Sequence, residues 1–376
     1  MSWSIKLFKI RGIDVKIHLT FVLILIWAAY RWSSITGAGW EGAAFGVVAT
    51  LLLFVAVTLH ELGHSFQALK FGVRVHDITL MPMGGLAQME EIPEKPSQEL
   101  RITLAGPLVN FSIAGLLIGL GALLQVRSVI SLQELAQSLW QVSWSGMLAY
   151  LTMANLAIGL FNLIPAFPMD GGRVLRALLA TRIDYAKATT IAIFIGQGLA
   201  WLLGLWGFMI GNYILVLIAI FVWMGAGQEG KQNNVKNVLN EIKVGQAMTR
   251  KPHVLFTTDT LERAVELTLS TAQVDFPVMA GTDNSLVGLL TEADLIKGLR
   301  AEGGTALVKG LMHRQYPVTA PGDLLIKAQR LMTENRIHVI PVVDQNGAMV
   351  GLLTSSDTNE AYRLLSAYPK LALSEN

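Results

Sequence analysis

Residues 51–70 read LLLFVAVTLHELGHSFQALK. They form the second half of an apolar stretch from Gly42 to Leu69, long enough to cross the roughly 30 Å hydrocarbon core of a bilayer as a helix. Glu61 is the only acid inside any long apolar run of the chain, and it stands in His60-Glu61-Leu62-Gly63-His64. On a helix the two histidines fall one turn apart on one face, so both imidazoles can chelate one zinc ion, with Glu61 beside the metal's water. The plain alternative is two histidines and an acid packed in a bundle. Ionisable groups cost several kcal/mol in hydrocarbon and are kept there for function, which favours the metal reading.

Working outward, further uncharged stretches run from Ile102 to Val126 and from Leu135 to Met169, and a shorter apolar one from Ile17 to Tyr30. From Ala188 to Gln228 no charge occurs; as one helix this run would be about 60 Å long, so it must fold back, with Gly207, Gly211 and Asn212 marking the turn. The expected fold class is therefore a polytopic α-helical membrane domain of about six transmembrane helices. A basic leader precedes Leu19, but no small-residue cleavage site precedes Arg31, so an uncleaved first helix is expected. Lys6, Lys9, Arg11, Lys16, Lys70, Arg74, Lys95, Arg101, Arg173, Arg176, Arg182 and Lys187 fall on one side, against Arg31 and Arg127 on the other. That asymmetry places the first side, with both termini, in the cytoplasm.

The chain has 376 residues, of which only 15% are charged against about a quarter in soluble proteins. Of its 56 charged residues 26 lie in the first 230 and 30 in the last 146, so the C-terminal part is an ordinary aqueous domain. The net charge of +2 gives no basic face for nucleic acid, which drops out as a partner. Without cysteine there is no disulfide, thiolate nucleophile or Cys-ligated metal, and any metal site must use His, Asp or Glu.

A catalytic zinc takes three protein ligands and keeps one position open, so the helix lacks one. Asp170 is the best candidate: in Asn162-Leu163-Ile164-Pro165-Ala166-Phe167-Pro168-Met169-Asp170-Gly171-Gly172, prolines and glycines break the helix and can turn a carboxylate inward. Its alternative role is to open a cytoplasmic loop.

These two motifs, with Ala105-Gly106-Pro107-x-x-Asn110 and Gly84-Gly85, resemble the site-2 protease family of intramembrane zinc metalloproteases, over about residues 1–227. The resemblance implies hydrolysis of a peptide bond within or near the membrane, in a membrane-anchored regulatory protein with one span. It implies one Zn2+ on His60, His64 and Asp170, Glu61 as general base, and Asn162 as a hydrogen-bond donor to substrate or oxyanion, or as an amide tying helices. It further likens Ile78 to Met89, with Gly84 and Gly85, to the family's strand segment, which pairs with an unwound substrate. His18 and His76 are read as interfacial, not as ligands.

Residues 228–243 are polar and read as a linker or a solvated connecting helix. The chain then repeats itself at an offset of 63 or 64 residues. Met248 and Met312 open the units, Val278 and Val342 each follow a proline, and Gly288-Leu289-Leu290-Thr291-x-x-Asp294 recurs as Gly351-Leu352-Leu353-Thr354-x-x-Asp357. Each unit combines helical stretches (Leu261 to Leu269; Leu325 to Met332) with β-rich runs (Phe276 to Met279 and Leu286 to Leu290; Ile337 to Val343 and Met349 to Leu353), predicting one α/β module. The repeat resembles a pair of CBS domains, 244–303 and 308–364, followed by a tail, 365–376. That resemblance implies an adenosine nucleotide, ATP or AMP, at Thr291, Asp294, Thr354 and Asp357, or a module that only forms a homodimer. Each threonine can equally be a helix N-cap. The rival reading of the whole chain is a CBS-gated ion transporter with the His and Asp cluster as transport site, and a third is a proteolytically dead scaffold.

Overall fold

Strand β2 (Ile13–His18) alternates apolar and polar side chains and so buries one face of a sheet. In the computed structural model it pairs antiparallel with β1 (Ser4–Ile10), and the chain then leaves the sheet for helices α1 (Phe21–Thr36) and α2 (Gly39–Lys70). It returns as β3 (Val75–Met81), parallel to β2, and turns into the antiparallel edge strand β4 (Gly84–Met89), giving the order β1-β2-β3-β4. Ile13, Ile78 and Leu80 of this sheet pack with Phe21, Phe54, Leu62 and Ile102 in one core, which fixes the sheet against the end of α2 that carries the histidines.

The remaining apolar runs form α3 (Pro96–Leu123), α4 (Leu132–Ser138), α5 (Trp144–Asn162), α6 (Asp170–Leu179), α7 (Tyr185–Met209) and α8 (Tyr213–Glu241). Among the described residues five helices, α2, α3, α5, α7 and α8, are long and apolar enough to span a membrane. The expected first span is α1, whose 16 residues reach only about 24 Å. The stretch from Leu135 to Met169 is not one helix: the Ser143 hydroxyl accepts the Gly146 N–H at 3.0 Å and starts α5 afresh, and α5 ends at Asn162, ahead of the expected break by Pro165 and Pro168. The turn between α7 and α8 sits at Gly211 (φ 69°), with Asn212 Oδ1 accepting the N–H groups of Ile214 and Leu215.

Helix α7 shows which solvent surrounds the bundle. Its buried positions are Ala188, Thr189, Ala192, Gly196, Ala200 and Gly207, while Phe194, Trp201, Leu202 and Phe208 are exposed. Small residues inside and large apolar ones outside is the pattern of helices packed in lipid.

The structure describes residues 3–82, 84–89, 93–126, 131–271, 273–281, 285–335 and 337–367. Met83 of the expected strand segment, Arg127 of the charge asymmetry and residues 368–376 of the expected tail lie outside them.

The chain divides into two units, Met1–Lys231 and Gln232–Asn376. In the second, α9 (Val244–Ala247) leads into β5 (Leu255–Phe256), α10 (Leu261–Thr271), β6 (Phe276–Met279), β7 (Leu286–Leu290) and α11 (Glu292–Glu302). The second repeat follows as α12 (Leu325–Asn335), β8 (Val339–Val343), β9 (Met349–Thr354) and α13 (Ser355–Ala367). The repeats exchange their opening segments: Thr249 bridges to Leu352, and His313 to Leu289. Met248 packs where a side chain on Gly351 would stand and Met312 where one on Gly288 would, which explains why those residues recur together. The polar stretch 228–243 is helical as far as Glu241, and its Leu239 and Ile242 are buried in the core of the second repeat. Composition alone hid those two anchors.

Candidate metal centre

Three electron-rich atoms converge in the first unit. His60 Nε2 and His64 Nε2 lie 3.0 Å apart, and Asp170 Oδ2 lies 3.3 Å from the first and 3.1 Å from the second. Helix α2 supplies the two imidazoles from one face. Asp170 arrives at the first position of α6, where a carboxylate is favoured by the unpaired N–H groups of the helix start.

The outer nitrogens of both rings are engaged by α3. His60 Nδ1 lies 2.5 Å from Asn110 Oδ1, and His64 Nδ1 lies 2.8 Å from the Ile102 carbonyl oxygen. Both partners are acceptors, so each ring carries its hydrogen on Nδ1 and presents a lone pair at Nε2. The Asn110 amide is oriented in turn, its Nδ2 donating to Asn155 Oδ1 on α5 at 2.9 Å, and Asn155 Nδ2 donates to the Leu151 carbonyl at 2.8 Å.

Two lone pairs and a carboxylate oxygen within 3.3 Å of one another repel unless a cation lies among them. Ligands about 2.0–2.1 Å from one tetrahedral zinc stand about 3.3 Å apart, close to the spacing seen here. The donor set and its outer partners therefore fit a metal ion, and these three residues form the one such cluster among the described residues.

Glycines clear the surroundings. Gly106 on α3 faces both imidazoles so closely that a Cβ there would overlap His64 Nε2 and reach 2.7 Å from His60 Nε2. A Cβ on Gly85 would stand 2.7 Å from Glu61 Cγ, which places the backbone of edge strand β4 directly against the candidate base. Gly84, next to it, adopts φ 131°, a conformation that favours glycine.

The structure thus gathers His60, His64 and Asp170, with Glu61 between the histidines and β4. Asn162 is engaged with its own helix, Nδ2 donating to the Ile158 carbonyl at 3.1 Å. Thr291 and Thr354 occupy N-cap geometry. The Thr291 hydroxyl donates to Asp294 Oδ2 and accepts the Asp294 N–H at 3.3 Å; the Thr354 hydroxyl donates to Asp357 Oδ2 at 2.8 Å and accepts the Asp357 N–H at 3.1 Å. Asp294 Oδ2 also meets His313 Nε2 at 2.8 Å. Asn155 and the outer role of Asn110 escaped the sequence reading; the available signal was a neutral amide inside an apolar helix.

Residues 48–203 match the model of peptidase family M50, and residues 244–301 and 308–363 match the CBS domain. A zinc metalloprotease of Methanocaldococcus jannaschii is 34% identical over 372 residues, 99% of either chain. Stage IV sporulation protein FB of Bacillus subtilis is 31% identical over 175 residues, 44% of this chain and 54% of that protein. A solved structure of the site-2 protease from Methanocaldococcus jannaschii shares 43% identity, covering 61% of this chain and 95% of that one, with a TM-score of 0.42.

Proposed function

Because the chain belongs to peptidase family M50, the site-2 proteases, and is therefore a multi-pass membrane metalloprotease, we propose that it cleaves single-span regulatory membrane proteins within or near their transmembrane segment, at one zinc ion held by His60, His64 and Asp170. The observation that carries this reading is the convergence of two Nε2 lone pairs and one carboxylate oxygen within 3.3 Å.

Held by His60, His64 and Asp170, zinc would supply Lewis acidity to polarise the scissile carbonyl and to make water nucleophilic near neutral pH. Glu61 would serve as the base that takes a proton from the attacking water as the water oxygen adds to the carbonyl carbon, and would return a proton to the amide nitrogen as the C–N bond breaks. One water is consumed, and a carboxylic acid and an amine leave.

A transmembrane helix hides its carbonyls in its own hydrogen bonds and must unwind first. Strand β4 is an edge of its sheet and lies against Glu61 at Gly85, so an unwound substrate segment added to β4 runs past the base. Gly84 and Gly85 keep that edge low. Asn162 is assigned to substrate binding: one N–H of its Nδ2 is held by the Ile158 carbonyl, and the amide keeps a second N–H to donate.

The basic-residue asymmetry supports cytoplasmic termini and a cytoplasmic CBS module. In the same reading an adenosine nucleotide, ATP or AMP, binds the CBS pair at Thr291, Asp294, Thr354 and Asp357 and tunes cleavage, and two CBS modules associate as a homodimer. Dimerisation is checked by sedimentation of the full chain in detergent, where a single monomeric species contradicts it.

The test of the function is proteolysis in liposomes by the purified full chain, using a panel of tagged single-span membrane proteins. Cleavage that stops with 1,10-phenanthroline and returns with added zinc is expected. Cleavage unaffected by the chelator would reject a metal mechanism.

A further inference from the structure

Arg176 is the sixth residue after Asp170 and is only 6% exposed. A guanidinium stays charged in a protein, so burying it demands acceptors. Two other helices supply them. Its Nε donates to Glu99 Oε1 on α3 at 2.8 Å, with Nη2 on the same oxygen, and Nη1 donates to Glu229 Oε1 on α8 at 2.6 Å. The Tyr185 hydroxyl on α7 donates to Glu99 Oε1 at 3.3 Å. The guanidinium carbon also lies 5.1 Å from the Phe167 ring centre and 5.0 Å from that of Tyr185, within cation–π range.

The connectivity gives this cluster its meaning. Phe167 precedes Asp170 by three residues and Arg176 follows it by six, so the contact of guanidinium and ring ties together the segments on both sides of the candidate ligand. Through Glu99 it fixes that segment to α3, the helix that also orients both imidazoles. Glu99 is fully buried, and its Oε2 has no hydrogen-bond partner among the described residues. Two carboxylates thus face one guanidinium, an arrangement that adds little net stability and is better suited to fixing a geometry.

We propose that Arg176 is a positioning residue: clamped by Glu99 and Glu229, it holds the start of α6 so that Asp170 Oδ2 meets the two imidazole nitrogens. This inference rests on the reading of Asp170 as the third ligand. Its test therefore carries an arm for each.

Full-length wild type and the variants Asp170→Ala, Arg176→Gln, Arg176→Lys and Glu229→Gln are purified in detergent. Zinc affinity is measured against a competing chelator, and the visible spectrum is recorded after loading with cobalt(II), whose bands report ligand geometry. The expected result is zinc binding about tenfold weaker in Arg176→Gln and Arg176→Lys, a smaller loss in Glu229→Gln, and shifted cobalt bands in all three. A merely structural role would lower the melting temperature but leave the zinc affinity and cobalt bands of the folded fraction unchanged. Wild-type affinity and spectra in both Arg176 variants, with metal lost in Asp170→Ala, overturn the clamp and leave the ligand set standing. Full zinc affinity in Asp170→Ala overturns the ligand reading and the inference with it. Should Arg176→Gln fail to fold, Arg176→Lys and Glu229→Gln, which keep the charge or one partner, decide the matter.

Discussion

His60 and His64 each present Nε2 in a fixed tautomer because acceptors on α3 hold the hydrogen of each Nδ1. Replacing Asn110 by Leu leaves the His60 N–H buried without an acceptor and frees the ring to turn; zinc affinity is expected to fall about tenfold to a hundredfold, read by competition with a chelator. Gly106→Ala is expected to do more, since the new methyl overlaps the His64 ring: the purified protein should hold little zinc by elemental analysis. His60, Glu61 and His64 were legible in the sequence because their spacing is local and an acid is out of place in an apolar run; Asp170 was legible because prolines and glycines break the helix around it. Asn110 and Asn155 gave a weaker signal, since a neutral amide is far cheaper inside a helix than an ion. Arg176 was counted only among the basic residues of the cytoplasmic side, because counting charges along a chain does not show which way a side chain points. The structure buries it between Glu99 and Glu229.

At the scale of elements, β4 lies against Glu61 at Gly85, which is where the proposed mechanism brings substrate and base together. Gly85→Val puts a branched side chain against Glu61, so kcat is expected to fall at least tenfold while zinc content stays at the wild-type level. Equal loss of zinc would mean that the change acts through the fold. The α/β repeat was the most legible part of the chain: β6 and β7 begin and end where the β-rich runs do, and α10 and α12 extend the expected helices by two or three residues. The helix break at Ser143 was harder, since it interrupts an apolar run at a point that no charge, proline or glycine pair marks. Thr354→Ala removes the N-cap of α13 and is expected to cost about 1 kcal/mol, seen as faster amide exchange in that helix. Asp323 offers a pH test. The Ala320 N–H, supported by the Thr319 hydroxyl, holds its carboxyl below the usual carboxylate range. Its stabilising contribution is therefore complete above the unfolded value of about 3.9 and lost as pH falls through the lower folded value. Asp323→Asn should flatten the acid side of the stability profile; an unchanged slope would assign the acid loss to other groups.

For the molecule as a whole, composition already separated a lipid-dissolved part from an aqueous one, and the two units divide at Lys231, within α8. The packing of Leu239 and Ile242 into the second repeat was not legible, because two apolar residues among asparagines carry no period. If the CBS pair senses nucleotide, millimolar ATP or AMP should change the cleavage rate of the wild type, and Asp294→Ala with Asp357→Ala should abolish that response without changing the basal rate. An identical rate with and without either nucleotide contradicts regulation. The central claim concerns Glu61 and the metal beside it. It is tested most directly by co-expressing the wild type and Glu61→Gln with tagged single-span membrane proteins and measuring, for each enzyme, cleavage on a gel and zinc per chain after purification. The account requires about one zinc in both and a cleaved product with the wild type alone. Cleavage by Glu61→Gln, or a wild type that cleaves without bound metal, would contradict it.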